Sequence, residues 1–225
     1  MTFSILGHCR RSGMFGIAVS SSSPAVAARC AHARAGIGAV GTQNITDPRL
    51  GPRGLDLLAE GLGAQQALES LKSRAEHLEF RQIVVIDREG GSAAFSGART
   101  LGTHAEALAE NAASAGNLLA NADVPKRILA SFLEQEGRDL GDRLIGALSA
   151  GLAAGGEAGP VHSAGLIMVR DVAWHVADLR VDWHEHDPIG ELAALWQRWK
   201  PQMEDYVTRA LDPRKAPAYG VPGDR

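Results

Sequence analysis

The sequence predicts an α+β fold built from mainly antiparallel sheets with helices packed on their outer faces. Segments with strand character come in neighbouring pairs, which favours hairpins over parallel crossovers. Pairs of amphipathic helices separate these hairpins, as in a layered α+β fold and unlike a doubly wound one. A chain of 225 residues with 45% hydrophobic composition can bury a sizeable core.

The first segments predict three strands. Residues 2–8 alternate polar and apolar side chains, and residues 10–13 form a turn into a second strand at 15–20. The hydroxyl-rich run before Pro24 ends that strand, since proline donates no ladder hydrogen bond. Residues 35–42 are apolar and glycine-rich, which indicates a third, buried strand with close neighbours.

Helical spacing of leucine and alanine predicts two helices over residues 51–62 and 64–73. A compact apolar strand follows at residues 81–87, and a Gly-Gly turn leads into another at 92–97. Residues 111–120 fit neither period and stay ambiguous.

The remaining chain predicts helices over residues 124–136 and 140–153, then a strand pair over 162–169 and 172–181. Asp187-Pro188 begins a last helix. Its apolar positions keep helical spacing and indicate either core or a dimer face: Leu192, Leu195, Trp196, Trp199 and Met203. One domain is expected over residues 1–211, followed by an extended or disordered Pro/Gly-rich tail at 212–225.

Composition narrows the function class. The formal net charge of -3 argues against a general nucleic-acid binder. No apolar segment reaches the ~20 residues of a membrane helix, and early charges at His8, Arg10 and Arg11 do not fit a secretory signal. Two cysteines provide neither a disulfide framework nor a four-thiolate metal site. A soluble cytoplasmic protein without cofactor is expected.

Thr2 is the first candidate for chemistry. Its side chain is small enough to permit removal of Met1, which would leave Thr2 at the chain terminus. An N-terminal threonine carries its own base, because an α-amine with a pKa near ~8 can accept the hydroxyl proton at neutral pH. Many chains begin Met-Thr without being catalytic, so this feature alone is weak.

A series of ordered segments strengthens that hypothesis. They are residues 1–5, 16–19 with Ser21, 33–40 (ARAGIGAV) with Thr42-Gln43, 51–55 (GPRGL), Arg81-Gln82, Gly116-Asn117, Ser163-Ala164 and 178–182 (DLRVD). In these segments the sequence resembles the DUF1028 family, from residue 1 to about 192. The resemblance implies a position near the N-terminal-nucleophile (Ntn) hydrolases. It therefore implies a four-layer αββα sandwich of two mainly antiparallel sheets, with the nucleophile at the start of the first strand.

The chain departs from the family pattern at several positions. His32 replaces a tryptophan, and residues 99–104 lack a cysteine and a tryptophan. Ala115 and His162 each replace a glutamine, and Trp183 replaces an aspartate. If these positions line the pocket, the protein acts on a different substrate from its relatives or on none.

The resemblance implies cleavage of a C–N bond, an amide or imine, in a small-molecule substrate, with Thr2 as nucleophile. Asn117 and Gln43 are candidate donors to the developing oxyanion. Each has a structural alternative, since Asn117 can satisfy a turn and Gln43 can end a strand.

The remaining candidates are substrate-binding residues. Ser21 and Ser163 are expected at strand ends facing Thr2, and His162 can titrate near neutral pH. Arg53 and Arg81 could each bind a substrate carboxylate through a bidentate contact. Turn formation, solvation or surface exposure are the alternatives for these five residues.

Two other functions remain open. A non-catalytic member could use the same pocket to bind a small ligand or a protein. A metal-dependent hydrolase could use His184 and His186, but no distant third ligand is evident, so no metal is expected. A homodimer is expected, with neither nucleic acid nor membrane as partner.

Overall fold

The computed structural model describes residues 1–221, which form ten strands and seven α-helices. The strands are β1 (Thr2–Cys9), β2 (Met14–Ser21), β3 (Ala31–Arg34), β4 (Gly38–Asn44), β5 (Arg81–Asp87), β6 (Ser92–Ser96), β7 (Ala105–Ala109), β8 (Ala112–Asn117), β9 (Ser163–Val169) and β10 (Ala177–Val181). The helices are α1 (Ala27–Cys30), α2 (Leu50–Ala59), α3 (Ala64–Arg74), α4 (Val124–Glu134), α5 (Leu140–Ala153), α6 (Pro188–Trp199) and α7 (Met203–Leu211).

Two antiparallel sheets are stacked between two layers of helices. One sheet has six strands in the order β10-β9-β2-β1-β8-β7, and the other has four in the order β3-β4-β5-β6. Helices α4, α5 and α6 pack on the outer face of the six-stranded sheet, and α2 and α3 pack on the four-stranded sheet. The inner faces meet where β1 contacts β4 and β2 contacts β3. The predicted α+β class with two antiparallel sheets is confirmed.

The alternation of side chains along β1 determines what reaches the space between the sheets. Phe3 and Ile5 belong to the core between this sheet and its helices, whereas Leu6 belongs to the core between the two sheets. Because successive strand residues point to opposite faces, Thr2 and Ser4 share the inter-sheet face with Leu6.

The strand predicted over residues 35–42 is divided differently in the structure. A turn separates β3, which ends at Arg34, from β4, which begins at Gly38. Gly36 lies in this turn with φ +68, a left-handed conformation that favours glycine. The sequence pattern does not mark this hairpin, because the turn residues Ala35 and Ile37 are apolar like the strand that follows them. The ambiguous residues 111–120 contain β8, whose small side chains are buried.

The last predicted helix is interrupted near Pro201. Helix α6 ends at Trp199, a short 3-10 turn spans Lys200–Gln202, and α7 follows. Proline has no backbone N–H to donate to a continuous helix, which accounts for the break.

The tryptophans of the last helix pack within the chain. The indole N–H of Trp196 donates to Asp142 Oδ1 at 2.7 Å, and that of Trp199 donates to the carbonyl of Val176 at 3.0 Å. Of the two alternatives, these contacts support core; the homodimer stays a prediction.

The predicted tail is only partly described. Pro213–Lys215 form a 3-10 turn, and residues 222–225 lie outside the described part of the chain. The single domain over 1–211 stays a prediction. None of the helices within residues 1–221 combines the length and apolar character needed to cross a membrane.

Two glycines of the β3–β4 hairpin provide a matched test of this fold. A Cβ at Gly38, where φ is +153, would overlap the carbonyl oxygen of Ile86, whereas a Cβ at Gly36 meets no atom within 4 Å. We expect Gly38→Ala to lower the free energy of unfolding by at least about 3 kcal/mol, from strain and overlap together. Gly36→Ala retains only left-handed strain, about 1 kcal/mol. Urea denaturation measures both losses, and equal losses would contradict the described register of β4 against β5.

Candidate active site

Thr2 lies in a row of polar residues that crosses four adjacent strands of the six-stranded sheet. Asn117 of β8 is directly opposite Thr2. On the other side, Phe3 pairs with Ser20, so Thr2 adjoins Ser21 of β2. Ser21 in turn pairs with Ser163 of β9. The structure therefore brings together four of the predicted residues, and all four are buried.

The four residues of this row face the space between the sheets. Asn117 alternates with Ala113 and Ala115, which belong to the inter-sheet core. Ser21 and Ser163 likewise share their strand faces with inter-sheet core residues such as Val19 and Ile167. The Thr2 hydroxyl consequently lies at the end of the inter-sheet space, where the apolar core gives way to polar side chains.

The four-stranded sheet contributes two glutamines, which connect to Asn117 through a buried hydrogen-bond network. Ser4 Oγ donates to Gln43 Oε1 at 2.9 Å, and Gln43 Nε2 donates to Gln82 Oε1 at 2.7 Å. Gln82 Nε2 donates to the carbonyl of Gly116 at 3.0 Å, and Asn117 Nδ2 donates to Gln82 Oε1 at 3.0 Å. The network therefore links the two sheets next to the Thr2–Asn117 pair.

The backbone carbonyl of Gly116 determines the orientation of these amides. A carbonyl only accepts, so the Gln82 amide group must point its Nε2 there and its Oε1 toward Gln43 and Asn117. Both partners must then donate, which leaves Asn117 Oδ1 as a buried acceptor without a partner. Leaving such a group unsatisfied costs roughly 1–3 kcal/mol, so Oδ1 is a candidate contact for a bound N–H group.

On the opposite side of Thr2, a chain of donors ends at the carbonyl of Met1. Arg29 Nη2 donates to Ser23 Oγ at 2.5 Å, and the two hydroxyl oxygens of Ser23 and Ser21 are 2.8 Å apart. Ser21 Oγ donates to Met1 O at 2.5 Å, and the Thr2 hydroxyl also donates to this oxygen. Because a carbonyl only accepts, the Ser21 proton points to Met1, and Ser23 must donate to Ser21. The guanidinium of Arg29 polarises this chain and strengthens the Ser21 donor.

Glu157 is a site residue that the sequence did not indicate. Its carboxyl is 4% exposed, and both oxygens accept from the backbone N–H of Ser22, at 3.1 and 3.2 Å. An isolated bridge to Leu119 holds it beside the chain that leaves β8. Burial raises the pKa of Glu157 from 4.5 to about 7, against the opposing effects of the Ser22 hydrogen bonds and the nearby Met1 ammonium.

Ser163 and His162 have local roles. Ser163 Oγ donates to the carbonyl of Ser23 at 2.7 Å and accepts from the N–H of Val26 at 3.3 Å, so this hydroxyl orders the turn after β2. His162 donates its backbone N–H to Ser21 O, and its ring stacks on Trp183 with centroids 4.4 Å apart. His162 and Trp183, two positions at which the chain departs from the family pattern, therefore contact each other.

The two candidate arginines do not join Thr2. Arg81 alternates with Gln82, so it points to the helix side of β5, where Nη1 donates to the carbonyl of Ile45 at 2.5 Å. Arg53 is exposed on α2 and lines a groove of about 470 Å³ between α2 and α3. Gln82, the neighbour of Arg81 in sequence, takes the position beside Asn117 instead.

The histidines near the start of α6 have a structural contact. His184 Nδ1 accepts from the backbone N–H groups of His186 and Asp187, at 3.2 and 2.8 Å. Across residues 1–221, no group of three or more His, Cys, Asp or Glu side chains is arranged to hold a metal ion.

Replacing Gln82 tests the polar network. Gln82→Met keeps the side-chain length but leaves Gly116 O, Gln43 Nε2 and Asn117 Nδ2 without their partner. Each loss costs roughly 1–3 kcal/mol, so we expect a drop of at least about 3 kcal/mol in the free energy of unfolding. Gln65→Met on the exposed face of α3 is the matched control and should change it by less than about 0.5 kcal/mol. Similar values for both variants would show that the network does not form.

The pKa of Glu157 predicts a pH dependence of stability. The folded protein holds this proton more tightly than the unfolded chain, because the pKa rises from 4.5 to about 7. Stability should therefore fall as pH rises from about 4.5 and level off above about 7, by up to about 3 kcal/mol. Glu157→Gln should remove this pH dependence of the free energy of unfolding, whereas Glu134→Gln, at an exposed carboxylate of α4, should keep it. Urea unfolding at pH 5 and pH 8 measures the change in each variant. If the change in Glu157→Gln equals that of the unmodified sequence, Glu157 is not its source.

Comparisons with known proteins place these observations in a family. The model of the family of unknown function DUF1028 matches residues 2–192. The crystal structure of protein SPO2555 from Silicibacter pomeroyi, which carries the same family model, is 25% identical with a TM-score of 0.81, over 88% of each chain.

Weaker matches are structures of Anbu (ancestral beta-subunit). Anbu from Yersinia bercovieri is 10% identical with a TM-score of 0.39, over 91% of this chain and 97% of that one. The Gly-1 mutant from Hyphomicrobium sp. strain MC1 is 12% identical with a TM-score of 0.41, over 98% and 100%. No curated protein matches the sequence. Because the family model spans most of the chain and the Silicibacter protein shares its fold, this protein belongs to the DUF1028 family.

Proposed function

We propose that this protein is an Ntn-type hydrolase that cleaves a C–N bond in a small metabolite, with Thr2 as the N-terminal nucleophile after Met1 is removed. The observation that carries the proposal is the asymmetry around Thr2. A hydroxyl donor, Ser21 Oγ, lies on the β2 side, and an unpartnered acceptor, Asn117 Oδ1, lies on the β8 side.

This arrangement is complementary to an amide group. The carbonyl oxygen of an amide accepts a hydrogen bond, and its nitrogen carries a donor. A substrate can therefore direct its oxygen to Ser21 and its N–H to Asn117, which presents the carbonyl carbon to the Thr2 hydroxyl between them. A buried acceptor without a partner favours ligands that bring the missing N–H.

The reaction follows from these positions. Thr2 Oγ attacks the carbonyl carbon and passes its proton to the free Thr2 α-amine, which has a suitable pKa near ~8. The C–N bond then breaks, and the same proton moves to the leaving nitrogen. Water attacks the resulting ester, again with the amine as base, and this step releases the acid and restores Thr2. An imine substrate would react in the same position: Thr2 Oγ adds to the imine carbon, and the α-amine passes the hydroxyl proton to the imine nitrogen. The C–N bond then breaks as the amine leaves, and water adds to the carbon, which releases the carbonyl product and restores Thr2.

The donor to the oxyanion is Ser21 in this proposal. The sequence also predicts Asn117 and Gln43 as donors, and these roles stay predictions, because only one of the two N–H groups of each amide donates to Gln82 Oε1. Ser21 accepts from Ser23 and is polarised by Arg29, so its proton is free for an oxygen beside Thr2. A preorganised donor of this kind contributes roughly 3–4 kcal/mol to transition-state stabilisation in other acyl-transfer enzymes.

Substitution of the nucleophile tests the proposal. With Met1-free protein and a panel of small amides and imines, we expect Thr2→Ala to lower kcat at least about 1000-fold, because nothing else supplies the attacking oxygen. Thr2→Ser keeps the hydroxyl and should retain most of the activity. Thr103→Ala, at an exposed threonine between β6 and β7, is the control. Hydrolysis that survives in Thr2→Ala would place the chemistry elsewhere.

A further inference from the structure

Met1 occupies the place that the acyl part of a substrate would take. Its carbonyl oxygen accepts from both the Ser21 and Thr2 hydroxyls. A substrate carbonyl that binds Ser21 and presents its carbon to Thr2 Oγ must occupy nearly the same position. The groups that surround the rest of Met1 therefore indicate which acyl groups the site accepts.

The buried carboxyl group closest in the chain contacts to Met1 is that of Glu157, because it accepts from the N–H of Ser22, the neighbour of the Ser21 whose hydroxyl binds the Met1 carbonyl. The Met1 ammonium is near enough to Glu157 to lower the pKa of the carboxyl by its charge. Glu157 is otherwise under-satisfied, because its two buried oxygens share a single donor, the Ser22 N–H. No side-chain ion pair within residues 1–221 neutralises Glu157.

Glu157 extends across the end of β1, because its backbone bridges Leu119, two residues after Asn117, and its carboxylate accepts from Ser22 at the end of β2. Asn117, directly opposite Thr2, and Glu157 are both buried. Asn117 Oδ1 has no donor, and the two oxygens of Glu157 share one. A ligand that fits this end of the site brings N–H groups and a positive charge.

We propose that Glu157 binds the free α-ammonium of the substrate, so that the substrates are α-aminoacyl compounds such as amino-acid amides. This inference rests on the proposed function and specifies its substrate class. The Met1 carbonyl and ammonium stand one Cα apart, and an α-aminoacyl group has the same spacing. A charge-assisted hydrogen bond to a buried carboxylate discriminates strongly against an acyl group that lacks the ammonium.

The charge of Glu157 sets the pH range of this preference. Burial raises its pKa to about 7, and the Ser22 hydrogen bonds, the Met1 ammonium and the nearby His162 oppose that rise. An α-ammonium has a pKa near ~8. Glu157 and the substrate are therefore oppositely charged between about pH 7 and pH 8, and the preference should be strongest there.

L-Alaninamide and propionamide provide the test, since they differ only by the ammonium group. With Met1-free protein at pH 7.5, we expect kcat/KM for L-alaninamide to exceed that for propionamide at least tenfold. Glu157→Gln should lower this ratio at least about fivefold, and the control Glu134→Gln should leave it unchanged. The ratio for the unmodified sequence should also fall between pH 7.5 and pH 6, which tests Glu157 even if the variant does not fold.

The outcomes distinguish a failure of the α-ammonium subsite from a failure of the proposed hydrolase activity. If both amides are cleaved in a Thr2-dependent way at equal rates, the hydrolase stands and the α-ammonium subsite is wrong. If neither is cleaved, calorimetric titration of the same protein decides the subsite independently of catalysis. Tighter binding of L-alaninamide that Glu157→Gln removes would support the subsite, and equal or undetectable binding of both amides would overturn it.

Discussion

The antiparallel register of β1 between β8 and β2 is the constraint on which the site depends. It places Thr2, the first residue of the strand, opposite Asn117 and beside Ser21. A shift of one residue would turn Thr2 toward the helices and bring Phe3 into the inter-sheet space, because strand faces alternate with period 2. Burial of Phe3 against the helices therefore also orients the candidate nucleophile.

Two backbone carbonyls give the site its polarity. The carbonyl of Gly116 forces Gln82 to accept from Asn117, which leaves Asn117 with an open acceptor. The carbonyl of Met1 takes the proton of Ser21 at the end of the donor chain from Arg29. The donor Ser21 Oγ and the acceptor Asn117 Oδ1 thus lie on opposite sides of Thr2. Backbone carbonyls fix both orientations, so neither requires a choice between the two possible positions of an amide oxygen and nitrogen.

Much of the fold could be predicted from the sequence, because hairpins and helix pairs leave strong periodic patterns. Helix α5 spans the predicted residues 140–153, and β1 and β2 lie within a residue or two of their predicted bounds. The β3–β4 turn could not be predicted, because its residues Ala35 and Ile37 are apolar and continue the pattern of the strand that follows.

The site was only partly predictable, because a buried strand does not reveal which of its side chains face the other sheet. In RQIVVID every residue is buried, so nothing distinguished Arg81 from Gln82 before the sheets were stacked. Glu157 follows a Gly-Gly break, a typical loop position, and only the bridge to Leu119 brings it to the strand ends. Thr2, Ser21 and Asn117 could be named in advance because the family resemblance marked their segments.

The most direct test of the account is the intact mass of the untagged protein after native expression. The mechanism requires a free Thr2 α-amine, so the account predicts a mass lower than that of the full sequence by one methionine. A mass that retains Met1 would leave the Thr2 nitrogen in a peptide bond and remove the base on which the chemistry depends. That result would contradict the proposed hydrolase activity.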